Sequence, residues 1–239
     1  VKFMEDAKVG CIVTLGGDGT NRAVAKVIKD TPIISISTGT NNVYPEMMEG
    51  TVVGMASAAV ASGCFDKRLF MQRDKRIEIY KGGEMIDVAL IDAVISRDVL
   101  VGSKAIWDMD SIDKIYVTRC HPASIGFSSI MGSKKIITED DDFGAYGEIN
   151  QKSQKVIAAV AAGVLSHISI SEPVILNLNE EHSFISKYRG TIALDGEREI
   201  PFSENQEYIF KITKNGPNHV NVKKVLETSQ KNGFFNIEP

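Results

Sequence analysis

Gly16-Gly17-Asp18-Gly19-Thr20 places one carboxylate among three glycines, directly after the apolar run of residues 10–15 (GCIVTL). Glycines in such a loop let the backbone approach a ligand closely and adopt positive φ. The amides of a following helix can then face phosphate oxygens, aided by the helix dipole, with Thr20 or Asn21 as the cap. A bare carboxylate beside phosphates is electrostatically unfavourable, which makes Asp18 the informative residue. It suits a group that holds a metal or takes a proton from an acceptor hydroxyl. The plain alternative is a tight strand-to-helix turn with a capping Asp. The spacing matches neither the Walker loop nor the dinucleotide-binding fingerprint. A second polar loop, Thr38, Gly39, Thr40, Asn41 and Asn42, follows the apolar run 33–37 (IISIS). Its hydroxyls and amides can bond a ribose or a phosphate, although Asn and Gly are also ordinary turn formers.

The elements around these loops follow from periodicity. Runs 10–15 and 33–37 read as buried parallel strands. Residues 21–30 carry Ala23, Val24, Val27 and Ile28 on one helical face, and Pro32 stops that helix. Residues 51–62 read as a second helix closed by Gly63. Strand, loop, helix, repeated, is the α/β signature. Both loops then leave the carboxyl ends of their strands, where open α/β sheets bind ligands. Such a sheet has strands on both sides of the loop, so a further N-terminal segment is expected before Val1. After Gly63 the texture changes. Residues 76–80 and 86–90 alternate around a Gly82-Gly83 hairpin signal, and strand-like pieces recur at 114–118, 173–178, 191–194 and 207–213. Residues 156–165 fit either a helix or a buried strand. Residues 222–231 read as a short helix ending before Gly233. The expected organisation is an α/β nucleotide-binding domain over 1–63 and an all-β sandwich over 64–220, with 221–239 packing back on the first.

Several function classes drop out. The formal net charge of −4 offers no basic excess for nucleic acid. Cys11, Cys64 and Cys120 are far apart and odd in number, which points to a reducing, cytoplasmic setting. Cys120-His121 and the remaining histidines lack zinc-ligand spacing. No apolar run is long enough to span a bilayer. Glu139-Asp140-Asp141-Asp142 lacks the alternation of a calcium loop and reads as a solvated loop. Trp107 reads as a packing residue. Asp195-Gly196 lies between two strand-like pieces, where a two-residue hairpin turn is the simplest reading.

Taken together, GGDGTNRAVA and STGTNNVYP resemble the NAD kinase and diacylglycerol kinase superfamily, and most closely its ATP-NAD kinase-like acetoin-catabolism protein X group. Leu194-Asp195-Gly196-Glu197 is similar to the DGE motif of the lipid-kinase branch, and residues 101–108 (VGSKAIWD) also look like the protein X group. The resemblance covers roughly residues 10–233 and implies a three-layer α/β domain followed by a β-sandwich, with ATP and acceptor meeting between them. It implies Asp18 as general base or metal-linked residue, residues 38–42 as nucleotide contacts, Mg2+ as the metal and a homo-oligomer. Asp92, Asp195 and Glu197 become acceptor or metal candidates. The Asn-acid motif of NAD kinases is incomplete: Asn41 and Asn42 lack an acidic neighbour, and Ile91 precedes Asp92 where Asn would stand. The nearest piece to their Gly/Ser/Thr-rich substrate motif is 124–129 (SIGFSS). The acceptor is therefore NAD or a related compound, with a lipid kinase or a non-catalytic nucleotide-binding regulator as the alternatives.

Overall fold

β-branched residues at 12, 13, 33, 34 and 36 favour extended backbone, and here they form the first two strands of a parallel pair. The computed structural model describes residues 1–98, 109–196 and 198–237. Trp107, the rest of the 101–108 stretch and Glu197 lie outside the described residues. The chain divides into two compact units, residues 1–74 with 215–239, and residues 75–214.

The first unit opens with α1 (Lys2–Asp6), β1 (Ile12–Gly16), α2 (Asp18–Ala25), β2 (Pro32–Ser37), α3 (Gly50–Ala61) and β3 (Met71–Arg73). The second unit holds β4 (Arg76–Lys81), β5 (Glu84–Ala89), β6 (Asp92–Ser96), β7 (Ile112–Val117), α4 (Phe127–Gly132), β8 (Phe143–Glu148), β9 (Lys155–Ala161) and β10 (Val164–Ser169). It continues with β11 (Val174–Asn177), β12 (Glu181–Ile185), β13 (Gly190–Leu194), β14 (Arg198–Phe202) and β15 (Glu207–Thr213). The chain then returns to the first unit as β16 (Asn218–Val220) and α5 (Val222–Lys231).

In the first unit the sheet order is β1-β2-β16-β3, with β1-β2 and β2-β16 parallel and β16-β3 antiparallel. Residues 64–74 and 215–220 therefore group with this unit, because β16 closes the sheet between β2 and β3. Alternation sends Ile34 and Ile36 to one face, where Val53, Ala56 and Val60 of α3 and Val222 and Val225 of α5 cover them. The opposite face carries Thr14 and Ser35, and α2 lies over it. The result is the three-layer α/β arrangement. α2 begins at Asp18 rather than at residue 21 and ends at Ala25 rather than near 30. Its last turn tightens, with the Val27 amide bonding Val24 C=O at 3.0 Å. Residues 30 and 31 are then tied down by the Glu5 carboxylate, which accepts the Asp30 and Thr31 amides at 2.9 and 3.3 Å.

The second unit is an antiparallel sandwich. A six-stranded sheet, β11-β8-β7-β6-β13-β14, faces a four-stranded sheet, β12-β15-β4-β5. Ile77, Ile79, Ile95, Tyr116, Ile192, Leu194, Phe210 and Ile212 fill the space between the sheets. Tyr116 and Phe210 stack with centroids 4.1 Å apart. The outer face of the larger sheet is buried too, by Ile130 and Met131 of α4 and by Ala158 and Ile168. Both faces of β6 and β13 are thus covered, and both strands are buried at every position. Residues 156–165 are neither a helix nor one strand. They form most of the β9–β10 hairpin, turned at Gly163 with φ +74°. Gly82 and Gly83, both at positive φ, make the β4–β5 turn. No helix among the described residues is long and apolar enough to cross a membrane.

His182 on β12 gives this unit a pH dependence. Its Nδ1 lies 2.9 Å from Tyr116 Oη and its ring 4.2 Å from that of Tyr146. Burial, and then the nearby Lys114 charge, hold its pKa below the ordinary 6.5. The folded chain therefore binds this proton later than the unfolded chain as pH falls. The stability this contributes is present above about pH 6.5 and is lost on acidification through the lowered folded value. Thermal melts between pH 7.5 and 5.5 should show a falling Tm whose slope is shallower in His182→Asn. Equal slopes in the two proteins would remove His182 from the account.

Candidate functional site

The two polar loops follow β1 and β2, adjacent parallel strands paired from Ile12–Ile33 to Gly16–Ser37, so both leave the same end of the sheet. What joins them is Asp18. It is the first residue of α2, where the helix dipole favours a negative charge. Its half-buried carboxylate accepts two amides immediately after the second loop, Val43 at 3.1 Å and Tyr44 at 2.7 Å. Hydrogen bonds to a charged acceptor contribute about 1.5–3 kcal/mol each, enough to make Asp18 the principal tie between the loops.

Gly17 is the N-cap of α2, so neither Thr20 nor Asn21 caps the helix. The glycines do not adopt the positive φ that was expected of them. None of Gly16, Gly17 and Gly19 has positive φ, and Gly17 sits at φ −96°. A Cβ on Gly16 would lie 2.4 Å from Thr20 Oγ1, and one on Gly17 would lie 2.7 Å from Asn42 Oδ1. Gly16 thus makes room for Thr20 within its own loop, and Gly17 for the Asn42 side chain of the other. Asn42 is accordingly half-buried, with its Nδ2 donating to Ser37 Oγ at 2.7 Å. Thr20, Thr38, Gly39, Thr40 and Asn41 are exposed around it.

Asn21, named in the sequence only as a cap, is an internal strut. It is fully buried, donates through Nδ2 to Gly17 C=O at 2.9 Å, and accepts from Thr14 Oγ1 at 2.7 Å. Ser35 Oγ lies 3.2 Å from the same hydroxyl. α2, the glycine loop, β1 and β2 are thereby locked in register. A lone Asn amid the apolar positions of α2 was the available signal. Tyr44 was visible only as part of the NNVYP string.

Asp195 and Asp92 come together in the second unit. Asp195 and Gly196 have φ +47° and +71°, the backbone of a primed two-residue hairpin turn. Asp195 is 6% exposed, and its carboxylate accepts the amides of Leu90, Ile91 and Asp92 at 2.8–3.2 Å. Its own amide donates to Asp92 C=O at 3.0 Å. The Asp92 residue is also buried, at the start of β6. Glu197, the third acceptor or metal candidate, lies outside the described residues. An open cavity of about 660 Å³ in this unit, bordered by Arg97, Asn150, Lys155 and His167, contains none of the sequence-predicted residues. Among the described residues no cluster of three or more His, Cys, Asp or Glu side chains is placed to hold a metal.

The fold is that of the NAD kinases. Yeast NADH kinase complexed with NADH superimposes with a TM-score of 0.56 at 15% identity, covering 96% of this chain and 67% of that one. An NAD kinase from Archaeoglobus fulgidus in complex with ATP gives 0.53 at 18% identity, covering 93% and 82%. Residues 1–63 match the ATP-NAD kinase N-terminal domain, and residues 75–215 match the acetoin catabolism protein X C-terminal domain. The chain belongs to the acetoin catabolism protein X family. The protein of that name from Cupriavidus necator is 36% identical over 213 residues, which cover 86% of this chain and 59% of that protein's length.

Replacing Asp195 separates a structural clasp from a ligand contact. Asp195→Ala leaves three buried amides without their acceptor and should cost at least about 2–3 kcal/mol, read as a lower urea midpoint. An unchanged midpoint would show that the carboxylate does not hold this turn.

Proposed function

We propose that the chain is an ATP-dependent phosphotransferase of the NAD kinase type, with the triphosphate seated across the 16–20 and 38–42 loops. The observation that carries this reading is the Asp18 clasp. There a carboxylate sits in a glycine-rich turn at a helix start, and two backbone amides and the helix N-terminus offset its charge. That offset removes the electrostatic objection to a carboxylate next to phosphates. Exposed Thr20, Thr38, Thr40 and Asn41 side chains supply further donors.

In this reading the α2 amides and the loop hydroxyls bind and orient the nucleotide. Asp18 takes the proton of the acceptor hydroxyl, or aligns that hydroxyl, as the phosphoryl group transfers. Mg2+ is commonly held by one or two carboxylates plus substrate phosphates rather than by a protein cage. A single loop carboxylate, with no larger metal-holding cluster among the described residues, is compatible with that manner of binding. In the metal-linked alternative Asp18, rather than acting as the base, would hold the ion, whose chemistry is to neutralise the triphosphate. The acceptor is a hydroxyl of NAD or a related compound, and the relative's name supports a place beside acetoin breakdown. One feature favours binding without turnover as the second reading: both Asp18 oxygens are already engaged by loop amides.

Transfer from ATP with Mg2+ to NAD, NADH, diacylglycerol and small diols, followed by product detection, separates these readings. Asp18→Asn keeps an acceptor oxygen for the Tyr44 amide, so the fold should survive while turnover falls about 10²-fold or more. Undiminished turnover in that variant would strip Asp18 of its role. Nucleotide binding with no product from any acceptor would establish the non-catalytic reading instead.

A further inference from the structure

The Tyr44 amide that bonds Asp18 belongs to a residue whose side chain is fixed deep inside the same unit. Tyr44 is 1% exposed, and its phenol donates to Asp74 Oδ2 at 2.6 Å. Asp74 is also 1% exposed. Its Oδ1 is buried and has no hydrogen-bond partner among the described residues. His219 Nδ1 stands 3.8 Å from Oδ2, beyond hydrogen-bond range, with its ring 5.7 Å from that of Tyr44. The Asp74 backbone is held from two sides, its amide donating to Pro217 C=O at 2.9 Å and its carbonyl accepting the Gly216 amide at 3.0 Å.

Among the described residues the phenol thus supplies the one short hydrogen bond to a carboxyl group buried in a fixed backbone. In a low-dielectric interior such a bond is strong, and the buried carboxyl group has no solvent to turn to if it lengthens. The constraint passes along Tyr44 itself. Its ring is anchored at one end on Asp74, and its amide meets Asp18 at the other. The residues just before it, 38–41, are exposed and have few anchors of their own.

We propose that Tyr44 and Asp74 are positioning residues, a buried phenol–carboxylate pair that fixes the Tyr44 amide and through it the Asp18 carboxylate. The catalytic consequence rests on the phosphotransferase reading, whereas the structural one does not.

Amide hydrogen exchange by NMR, run beside the transfer assay, tests this on the wild type, Tyr44→Phe, and Tyr44→Phe combined with Asp74→Asn. In Tyr44→Phe the amides at positions 43 and 44 should exchange about tenfold faster while those of Ile34 and Ile36 in β2 keep their rates. In the same variant kcat should fall about tenfold with the nucleotide KM within about twofold, the pattern of a misplaced reacting group rather than lost binding. Equal acceleration throughout the unit would mean a general loss of stability and would overturn the proposal, as would unchanged exchange at 43 and 44. Should Tyr44→Phe fail to fold because Asp74 loses its phenol partner, the double variant replaces the buried carboxyl group with an amide and carries the same expected pattern. A wild type that transfers no phosphate would defeat the proposed function, and the exchange rates would still decide the positioning claim.

Discussion

A carboxylate at the first position of a helix ordinarily satisfies that helix's own amides. Asp18 instead reaches across to the amides of Val43 and Tyr44. Everything else about the glycine loop follows from keeping that reach short. Gly16 and Gly17 carry no side chain because Thr20 and Asn42 occupy the space where a Cβ would go. Asn21 is buried because the glycine loop needs an acceptor-donor strut to β1 and β2. Glycine's close-approach property, rather than its freedom at positive φ, is what the loop uses.

The same device recurs in the second unit with a different outcome. Asp195 also sits at a turn after a strand and also grips the amides of a neighbouring segment, here Leu90, Ile91 and Asp92. Asp195 is buried with its three amides, whereas Asp18 is half-buried beside exposed hydroxyl and amide side chains. Exposure is what separates the two: Asp195 is enclosed with the amides it holds, whereas Asp18 stays accessible.

Much of this was legible in the sequence where signals are local. Residues 207–213 and 222–231 fold as strand and helix with the bounds their patterns suggested, and the paired loops after two apolar runs marked the α/β layer. The misses share a physical cause. α2 starts at Asp18 because a tertiary hydrogen bond outweighs the poor helix propensity of Gly19. β16 is three residues long and shows no alternation of its own, so its insertion between β2 and β3 is decided by partners far away in sequence. Residues 156–165 are alanine-rich, and only the packing of Ala158 and Ile168 over the larger sheet makes them a hairpin. The Tyr44–Asp74 pair spans 30 residues and the Asp195 clasp more than 100, distances at which a sequence gives no hint of contact.

The central claim is that the two loops tied by Asp18 form a nucleotide seat. The most direct measurement is a titration of the isotopically labelled chain with ATP and Mg2+, followed residue by residue through amide chemical shifts. The account predicts saturable shifts concentrated at Gly17, Gly19, Thr20 and Gly39 through Asn42, with the core amides of β2 nearly still. Shifts confined to other parts of the chain, or none at millimolar nucleotide, would contradict it.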